Sequence, residues 1–184
     1  MNQPILTTKR LLLRPFNLLD AQRVQELAGD KRIADTTLLI PHPYPGGAAE
    51  EWISSHSANA ECGNEFVFAI ILKEKKDLIG AIGAAVNKKF NNAELGYWIG
   101  VPYWNNGFVS EALSAVIKFA FMDLQLNKVH AHHMAFNEAS GKAMIKNGMQ
   151  KEGCFRKHIF KNNEFHDAVF YGILREDYLV KKKK

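Results

Sequence analysis

Long apolar runs, paired cysteines and a strong excess of one charge are all missing from this chain of 184 residues. No uninterrupted apolar stretch approaches the roughly 20 residues that a membrane-spanning helix needs. The N-terminus has no charged segment followed by an apolar one, so we expect no signal peptide. These absences exclude a helical membrane protein and favour one globular domain of ordinary composition.

The cysteines and the charges exclude further classes. Cys62 and Cys154 have neither the spacing of a metal site nor the number of a disulfide framework, so a reducing cytoplasm is the expected compartment. The net charge is +5, but four lysines at 181–184 supply most of it and leave the rest of the chain near +1. No basic stripe is interleaved with aromatics, which argues against a nucleic-acid groove. We expect the lysine tail to be a solvated, disordered end.

Hydrophobic periodicity and turn residues predict the order β-α-α-β-β-β-α-β-α-β-β. Helix–strand alternation of this kind favours one mixed α/β sheet with helices on both faces. An irregular, Pro- and Gly-rich loop is predicted at Ile40–Gly47, and Asp20 is expected to cap the first helix. The predicted strands are Leu11–Phe16, Phe66–Leu72, Leu78–Val86, one around Glu94, Lys128–Met134, Gln150–Phe160 and Glu164–Leu174. The predicted helices are Ala21–Ala28, Ala48–Ala60, Asn106–Leu124 and one capped by Asn137 that runs through Lys146.

The segment from Glu94 to Ala112 carries the clearest functional signal. It is a short apolar strand, then a turn, then a glycine that opens a long amphipathic helix. A helix N-terminus has unpaired N–H groups and a positive dipole end, so it attracts anions. Gly107 has no Cβ and would let a phosphate approach the backbone. An anion site beside a lone carboxylate, Glu94, suggests a phosphate-bearing cofactor next to a general base.

These elements and their local sequences resemble the GNAT superfamily of N-acyltransferases. Within it, the chain is most similar to the branch of ribosomal-protein N-terminal acetyltransferases, RimJ and RimL. The resemblance covers nearly the whole chain, in the order and at the spacing of the family. It rests on Thr8–Phe16 with Asp20, Ile79–Gly80, Ala93–Ile99, Tyr103–Ala112, Phe119–Phe121, Asn127–Val129, Asn137–Ser140, Lys151–Gly153 and His166–Asp167.

The resemblance implies the fold and the cofactor. It implies an α/β fold with a single mixed, mostly antiparallel twisted sheet, splayed central strands, and one N-acetyltransferase domain over 1–180 followed by the tail at 181–184. Acetyl-coenzyme A would be the co-substrate, with its pantetheine arm between the splayed strands and no metal. Because relatives often pair, the resemblance also implies a homodimer, although no interface can be identified from the sequence. The implied cofactor-binding residues are Tyr97, Trp98, Ile99, Asn105, Asn106, Gly107, Phe108, Val109, Ser110, Asn137 and Ser140.

The resemblance also implies the catalytic groups, Glu94 as base and Ser140 as acid. Glu94 has the alternative role of a structural carboxylate at the sheet centre, and Ser140 that of ordinary first-turn chemistry after an Asn cap. The family's tyrosine acid is replaced here by Met144, which cannot donate a proton. Trp104 and Val109 also depart from the usual pyrophosphate loop, which holds the phosphates mainly through backbone N–H groups.

Histidines near the predicted site follow the strand period. His130 and His132 should share one face of their strand, and His133 should point the other way. No cysteine or carboxylate lies nearby in sequence, so core or acceptor-cleft histidines are favoured over a metal site. His166 and Asp167 are expected either to shape the acceptor site or to stabilise the last strand.

The predicted reaction is direct transfer of acetyl from acetyl-coenzyme A to a primary amine, with the α-amine of a protein or peptide favoured. A small amine, such as an antibiotic, a polyamine or an amino-acid derivative, is the alternative acceptor. No acidic residue lies between Thr36 and Gly47, which disfavours a polycation there. A coenzyme A-binding module without turnover is the alternative of a different class.

Overall fold

A computed structural model describes residues 3–181, which form eight strands, seven α-helices and two short 3-10 helices at Leu18–Asp20 and Val101–Tyr103. The strands are β1 Leu6–Thr7, β2 Leu11–Pro15, β3 Glu65–Leu72, β4 Asp77–Asn87, β5 Asn92–Ile99, β6 Lys128–Met134, β7 Gln150–Lys161 and β8 Glu164–Leu174. The helices are α1 Ala21–Ala28, α2 Lys31–Thr36, α3 Ala48–Ser54, α4 His56–Glu61, α5 Phe108–Met122, α6 Glu138–Lys146 and α7 Arg175–Lys181.

All eight strands belong to one sheet in the order β1-β2-β3-β4-β5-β6-β8-β7. Every neighbouring pair is antiparallel except β5 and β6, which are parallel. Parallel neighbours need a long crossover, and α5 supplies it. The prediction of a single mixed, mostly antiparallel sheet is therefore confirmed.

Helices cover both faces of the sheet because its central strands alternate between two apolar clusters. Leu95 and Ile99 of β5 pack in the larger cluster with the apolar side of α5. Trp98, between them in sequence, packs in the second cluster with α1, α2 and α3. The period-2 alternation of a strand thus gives β5 one side toward α5 and one toward the N-terminal helices.

One predicted helix is broken in the structure, and three further elements were not predicted. The helix expected at Ala48–Ala60 is broken at Ser55, where the hydroxyls of Ser54 and Ser55 donate to the carbonyls of Glu51 and Trp52. Hydroxyls that bond back to the preceding turn bend helices. The elements β1, α2 and α7 were absent from the sequence-based order.

Asp20 was expected to cap α1. It occupies the N-cap position, but its carboxylate makes no hydrogen bond to the first turn of that helix. Instead it accepts two hydrogen bonds of 2.7 Å from Arg14 and one of 2.9 Å from the N–H of Asn17. A bidentate guanidinium is a stronger partner than a cap N–H, so the carboxylate turns back toward β2.

The structure departs from the predicted tail at its first residue. Helix α7 runs through Lys181, so the backbone of that lysine continues a helix and does not begin a disordered tail. Residues 182–184 of the predicted tail lie outside the described residues. Across 3–181 we find no helix that is both long and apolar enough to cross a bilayer.

Candidate active site

The centre of the sheet is open between β5 and β6. The two strands pair only at Asn92, Ala93 and Glu94, opposite the first three residues of β6. Beyond Glu94 the strands part, while β5 stays paired with β4 as far as Ile99. A cleft of about 960 Å³ opens there, and both strands line it. The expected splay of the central strands is thus present.

The backbone of β5 presents unpaired groups to this gap. The N–H of Gly100 donates to Ile79 of β4, and a Cβ on Gly80 would lie 2.2 Å from the carbonyl oxygen of Trp98. The N–H and C=O groups of even-numbered residues in β5 therefore point to β4. The N–H and C=O groups of Tyr97 and Ile99 point into the gap between β5 and β6. The Ile99 carbonyl accepts the indole N–H of Trp104 at 2.6 Å. The N–H groups of Tyr97 and Ile99 remain as donors on the cleft side.

The turn before α5 has the geometry expected of an anion site. Gly107 is the N-cap residue with φ of 73°, and no side chain caps the helix. A Cβ on Gly107 would meet only Arg10, at 3.8 Å, so space is open in front of the first helical N–H groups. Asn105 and Phe108 to Ser110 line the cleft with Gly107. Asn106 does not: its amide donates to the carbonyls within the turn, the shorter bond being 2.8 Å to Trp104.

A network centred on Arg10 supports this turn, and it was not predicted from the sequence. Arg10 donates to the carbonyl of Asn106 at 3.0 Å and to Glu111 at 2.7 Å, and its guanidinium lies 4.5 Å from the ring centroid of Phe108. Glu111 also accepts from Thr8 at 2.6 Å. Burial opposes ionisation of Glu111, but these hydrogen bonds outweigh it and lower its pKa.

On the α6 side of the gap, the hydroxyl of Tyr97 lies 2.6 Å from that of Ser140. Burial raises the pKa of Tyr97 to about 12, although the Ser140 contact opposes the shift. Tyr97 is therefore protonated at neutral pH and can donate. Asn137 caps α6 as predicted, accepting from the N–H of Ser140 at 3.4 Å. Met144, where the family has a tyrosine, is buried.

On the opposite side of β5, Oε1 of Glu94 lies 2.7 Å from Nδ1 of His132. This pair has the distance of a hydrogen bond but not its alignment. The contact with His132 lowers the pKa of Glu94 against the opposing effect of partial burial. Burial lowers the pKa of His130, on the same face. His133 stacks on Tyr171 on the other face, so the predicted division of the histidines is confirmed.

No group of three or more metal-ligating side chains occurs among residues 3–181. The pairing of Glu94 with His132 is instead a two-residue arrangement at the edge of the cleft. It could be anticipated in part, because the parallel register places Glu94 opposite His130, two residues before His132.

The outer wall of the cleft is the segment 36–41, which we call the acceptor wall, and it is held by residues far away in sequence. Asn137 donates to the Thr36 carbonyl at 3.3 Å, and Asn162 donates to Asp35 at 3.0 Å. The ammonium of Lys161 donates to the Thr37, Leu38 and Ile40 carbonyls. Burial lowers the pKa of Lys161. Apolar side chains predominate on this side of the cleft: Ile33, Leu38, Leu39, Ile40, Pro41, Tyr44 and Trp52.

His166 and Asp167 lie on β8, in the hairpin that carries Lys161. Asp167 accepts from the N–H of Lys157 at 2.8 Å, where β7 is irregular. A ring nitrogen of His166 lies 3.2 Å from the Lys161 carbonyl. Both residues therefore organise the β7–β8 hairpin whose tip holds the acceptor wall.

Comparison with known proteins agrees with this geometry. Residues 10–150 match the family described as acetyltransferase (GNAT) domain. YnaD of Bacillus subtilis, an uncharacterized N-acetyltransferase, is 33% identical over 173 residues, covering 94% of this chain and 98% of the relative. The ribosomal protein uS5-alanine N-acetyltransferase of Escherichia coli is 25% identical, covering 94% and 92%. The crystal structure of a GNAT-family acetyltransferase from Bacillus anthracis has a TM-score of 0.83 at 26% identity, covering 94% and 99%.

Proposed function

From the premise that this chain belongs to the GNAT acetyltransferase family, we propose that it acetylates the α-amine of a protein or peptide, such as a ribosomal protein. The chain is an N-acetyltransferase and its donor is acetyl-coenzyme A. One observation carries the proposal: the cleft between β5 and β6 has a turn suited to an anion on one side and Glu94 on the other. The similarity to the uS5-alanine N-acetyltransferase supports the choice of a protein acceptor.

The cofactor half of the cleft is lined by Asn105, by Gly107 to Ser110 and by α6, and it suits the phosphates of coenzyme A. The open N–H groups of α5 would meet the pyrophosphate, and Lys142 and Lys146 of α6 line the same half of the cleft. Val109 should not prevent phosphate binding, because the binding groups are backbone N–H donors. Gly107 has no Cβ, so the approach to these donors stays open. The pantetheine arm would then extend along the unpaired edge of β5.

The magnitudes favour an α-amine over a lysine side chain. The attacking amine must be neutral, and an α-amine of pKa near 7.8 is neutral in about one molecule in seven at pH 7. A lysine of pKa near 10.4 is neutral in only about one in 2,500. Removing the proton from an α-amine therefore requires much less help from the carboxylate of Glu94 than removing it from a lysine side chain.

The remaining groups complete the transfer. The N–H groups of Tyr97 and Ile99 would stabilise the tetrahedral oxyanion. The hydroxyls of Tyr97 and Ser140 lie on the cofactor side and would return a proton to the thiolate of coenzyme A. This pair supplies the proton donor that the replacement of tyrosine by Met144 removes.

The acceptor half of the cleft argues against a polycationic amine. The only carboxylates among the described residues that line the cleft are Glu65 and Glu94, and the acceptor wall is apolar. A polyamine would need further carboxylates for its other charges. We also propose a cytoplasmic location, which the exposed, unpaired thiols of Cys62 and Cys154 support.

The test is a thiol-release assay with acetyl-coenzyme A and matched acceptors. The panel contains peptides that begin with alanine, serine or methionine. Each is paired with a version that is blocked at the N-terminus and contains a lysine. Spermidine is the small-amine acceptor. We expect release with the free peptides and none with the blocked ones. Release only with spermidine or the lysine peptides would overturn the proposal. Thermal unfolding checks cofactor binding, since a ligand at 100 times its Kd adds about 2.7 kcal/mol.

A further inference from the structure

Beside Glu94 lies an imidazole that the reaction above does not use. We propose that Nε2 of His132 is the atom that accepts the proton of the attacking amine, while the Glu94 carboxylate holds the ring through Nδ1. This inference rests on the proposed function and names the base within that site. Glu94 then becomes a positioning residue, and His132 the catalytic one.

The geometry assigns the two ring nitrogens different roles. Nδ1 is buried and lies 2.7 Å from the carboxylate oxygen, close enough for an ion pair although the alignment is not that of a hydrogen bond. A carboxylate only accepts hydrogen bonds, so an unprotonated Nδ1 would set two lone pairs against each other. The proton of the neutral ring therefore belongs on Nδ1, and the lone pair on Nε2. A carboxylate that fixes the tautomer of a histidine base is an established catalytic arrangement.

The ring is held in place and reaches the cleft. It stacks on Phe170 of β8 with centroids 4.8 Å apart and planes inclined by 17°. Its side chain is 17% exposed and lines the cleft beside Glu94. A ring clamped between an apolar face and a carboxylate keeps one orientation, which a general base requires.

The surrounding charges favour the imidazole over the carboxylate as the base. The contact with His132 keeps the pKa of Glu94 below its ordinary value, so the carboxylate holds a proton poorly near neutral pH. Imidazole is the side chain whose ordinary pKa lies closest to neutrality. The other titratable groups near this pair are His130; Lys128 and Glu152, whose charges act on His130; and His158 of β7, whose ring contacts Phe170.

The step balances without a further reactant. The amine nitrogen bonds to the thioester carbonyl carbon, and its proton passes to Nε2 of His132. The C–S bond then breaks, and the thiolate takes a proton from the hydroxyl pair of Tyr97 and Ser140 or from water. The products are the acetamide and coenzyme A. The imidazolium releases its proton to solvent, and a hydroxyl pair that has protonated the thiolate regains a proton from solvent.

Two variants and one control test the assignment kinetically, with acetyl-coenzyme A and a synthetic peptide beginning with alanine. We expect His132→Gln to lower kcat at least 100-fold, leave the KM for acetyl-coenzyme A within twofold, and abolish the acidic limb of the pH profile. His158→Gln, a histidine near the same Phe170 ring, should keep both kcat and that limb. A His132→Gln enzyme within threefold of wild-type kcat, with its acidic limb intact, would overturn the inference while leaving the proposed function standing.

Nitrogen NMR of the imidazole rings in the intact protein gives a readout that needs no acceptor. At neutral pH, the wild-type His132 ring should carry its proton on Nδ1, and Glu94→Gln should shift the ring toward the Nε2–H form. A wild-type ring protonated on Nε2 would refute the assignment. If no acceptor is acetylated at all, the proposed function fails, and the tautomer still decides this inference separately.

Discussion

The two halves of the cleft are built in different ways. The cofactor half is mainly local: the turn before α5 and the start of α6 each form from a few consecutive residues, and Arg10 is the distant residue that supports the turn. The acceptor half is assembled from distant segments, with Lys161 bonding to carbonyls 121 to 124 residues earlier in the chain. The proposed donor site therefore depends mainly on local sequence, whereas the proposed acceptor site depends on contacts between segments far apart in the chain.

The sharpest separation of the two halves is expected from Glu94→Gln. The amide keeps the shape of the side chain but loses the charge that serves the base, so kcat should fall by about 10²–10⁴-fold. The KM for acetyl-coenzyme A should stay within twofold, because the cofactor half is untouched. Steady-state kinetics at pH 7 with an alanine-initiated peptide measure both.

Glu65→Gln is the matched control for Glu94→Gln, since Glu65 is the other carboxylate that lines the cleft. It should keep kcat within a few-fold of wild type. Equal losses in both variants would show that the charge of the cleft matters and that no single carboxylate serves the base.

The second prediction concerns the pH dependence of the free energy of unfolding. The acceptor side of the cleft packs on a buried histidine, His56. Neither ring nitrogen of His56 has a hydrogen-bond partner, and the ring packs edge-on to Trp52, whose side chain borders the cleft. Burial lowers the pKa of His56 to about 4. The unfolded chain, whose histidine titrates near 6.5, therefore binds the proton first as the pH falls. The free energy of unfolding should drop by up to about 3 kcal/mol between pH 6.5 and pH 4.

His56→Phe should remove this part of the pH dependence, because phenylalanine keeps the aromatic packing without a titrating group. Urea unfolding at pH 7, 6 and 5 measures the slope for both proteins. Parallel slopes would mean that other groups account for the acid sensitivity.

The third test compares two glycines at helix N-caps, both with positive φ. Gly107 precedes α5 with φ of 73°, and Gly47 precedes α3 with φ of 81°. Alanine at either position costs roughly 1–2 kcal/mol of backbone strain. Both variants should therefore lose similar stability, but only Gly107→Ala should weaken acetyl-coenzyme A binding, by about tenfold. Calorimetric titration with acetyl-coenzyme A decides, and equal affinities would remove the α5 turn from the proposed cofactor site.

The smallest effect is expected at the acceptor wall. Lys161→Met removes the ammonium that bonds the wall carbonyls, so the KM for the peptide should rise about fivefold while that for acetyl-coenzyme A is unchanged. Lys161→Arg should recover part of the loss. Lys151→Met, at an exposed lysine on the same strand, serves as the control. A rise in the acetyl-coenzyme A KM would contradict the division of the cleft into two halves.

The same division explains what the sequence could predict. Strand β6 and the Asn137 cap were predicted as they stand in the structure, because each follows from side chains within a few residues. The Arg10–Glu111 contact and the acceptor wall were not, because they join residues about 100 or more positions apart. The Glu94–His132 pair falls between these cases. The alternation of side chains along a strand predicted that His130 and His132 share a face, but not that His132 contacts Glu94.

The anchoring of the acceptor wall has a consequence for how the protein is made. A chain emerging from the ribosome in order presents 36–41 long before Lys161 and Asn162 exist to hold it. The turn before α5 is held by Arg10, and Asn147 bonds Ser110 at the start of α5. Both residues precede the C-terminal hairpin, so the turn can be complete with that hairpin still unsynthesised. A nascent chain would thus acquire its coenzyme A site first, and it would gain selectivity for an amine only with the last strands.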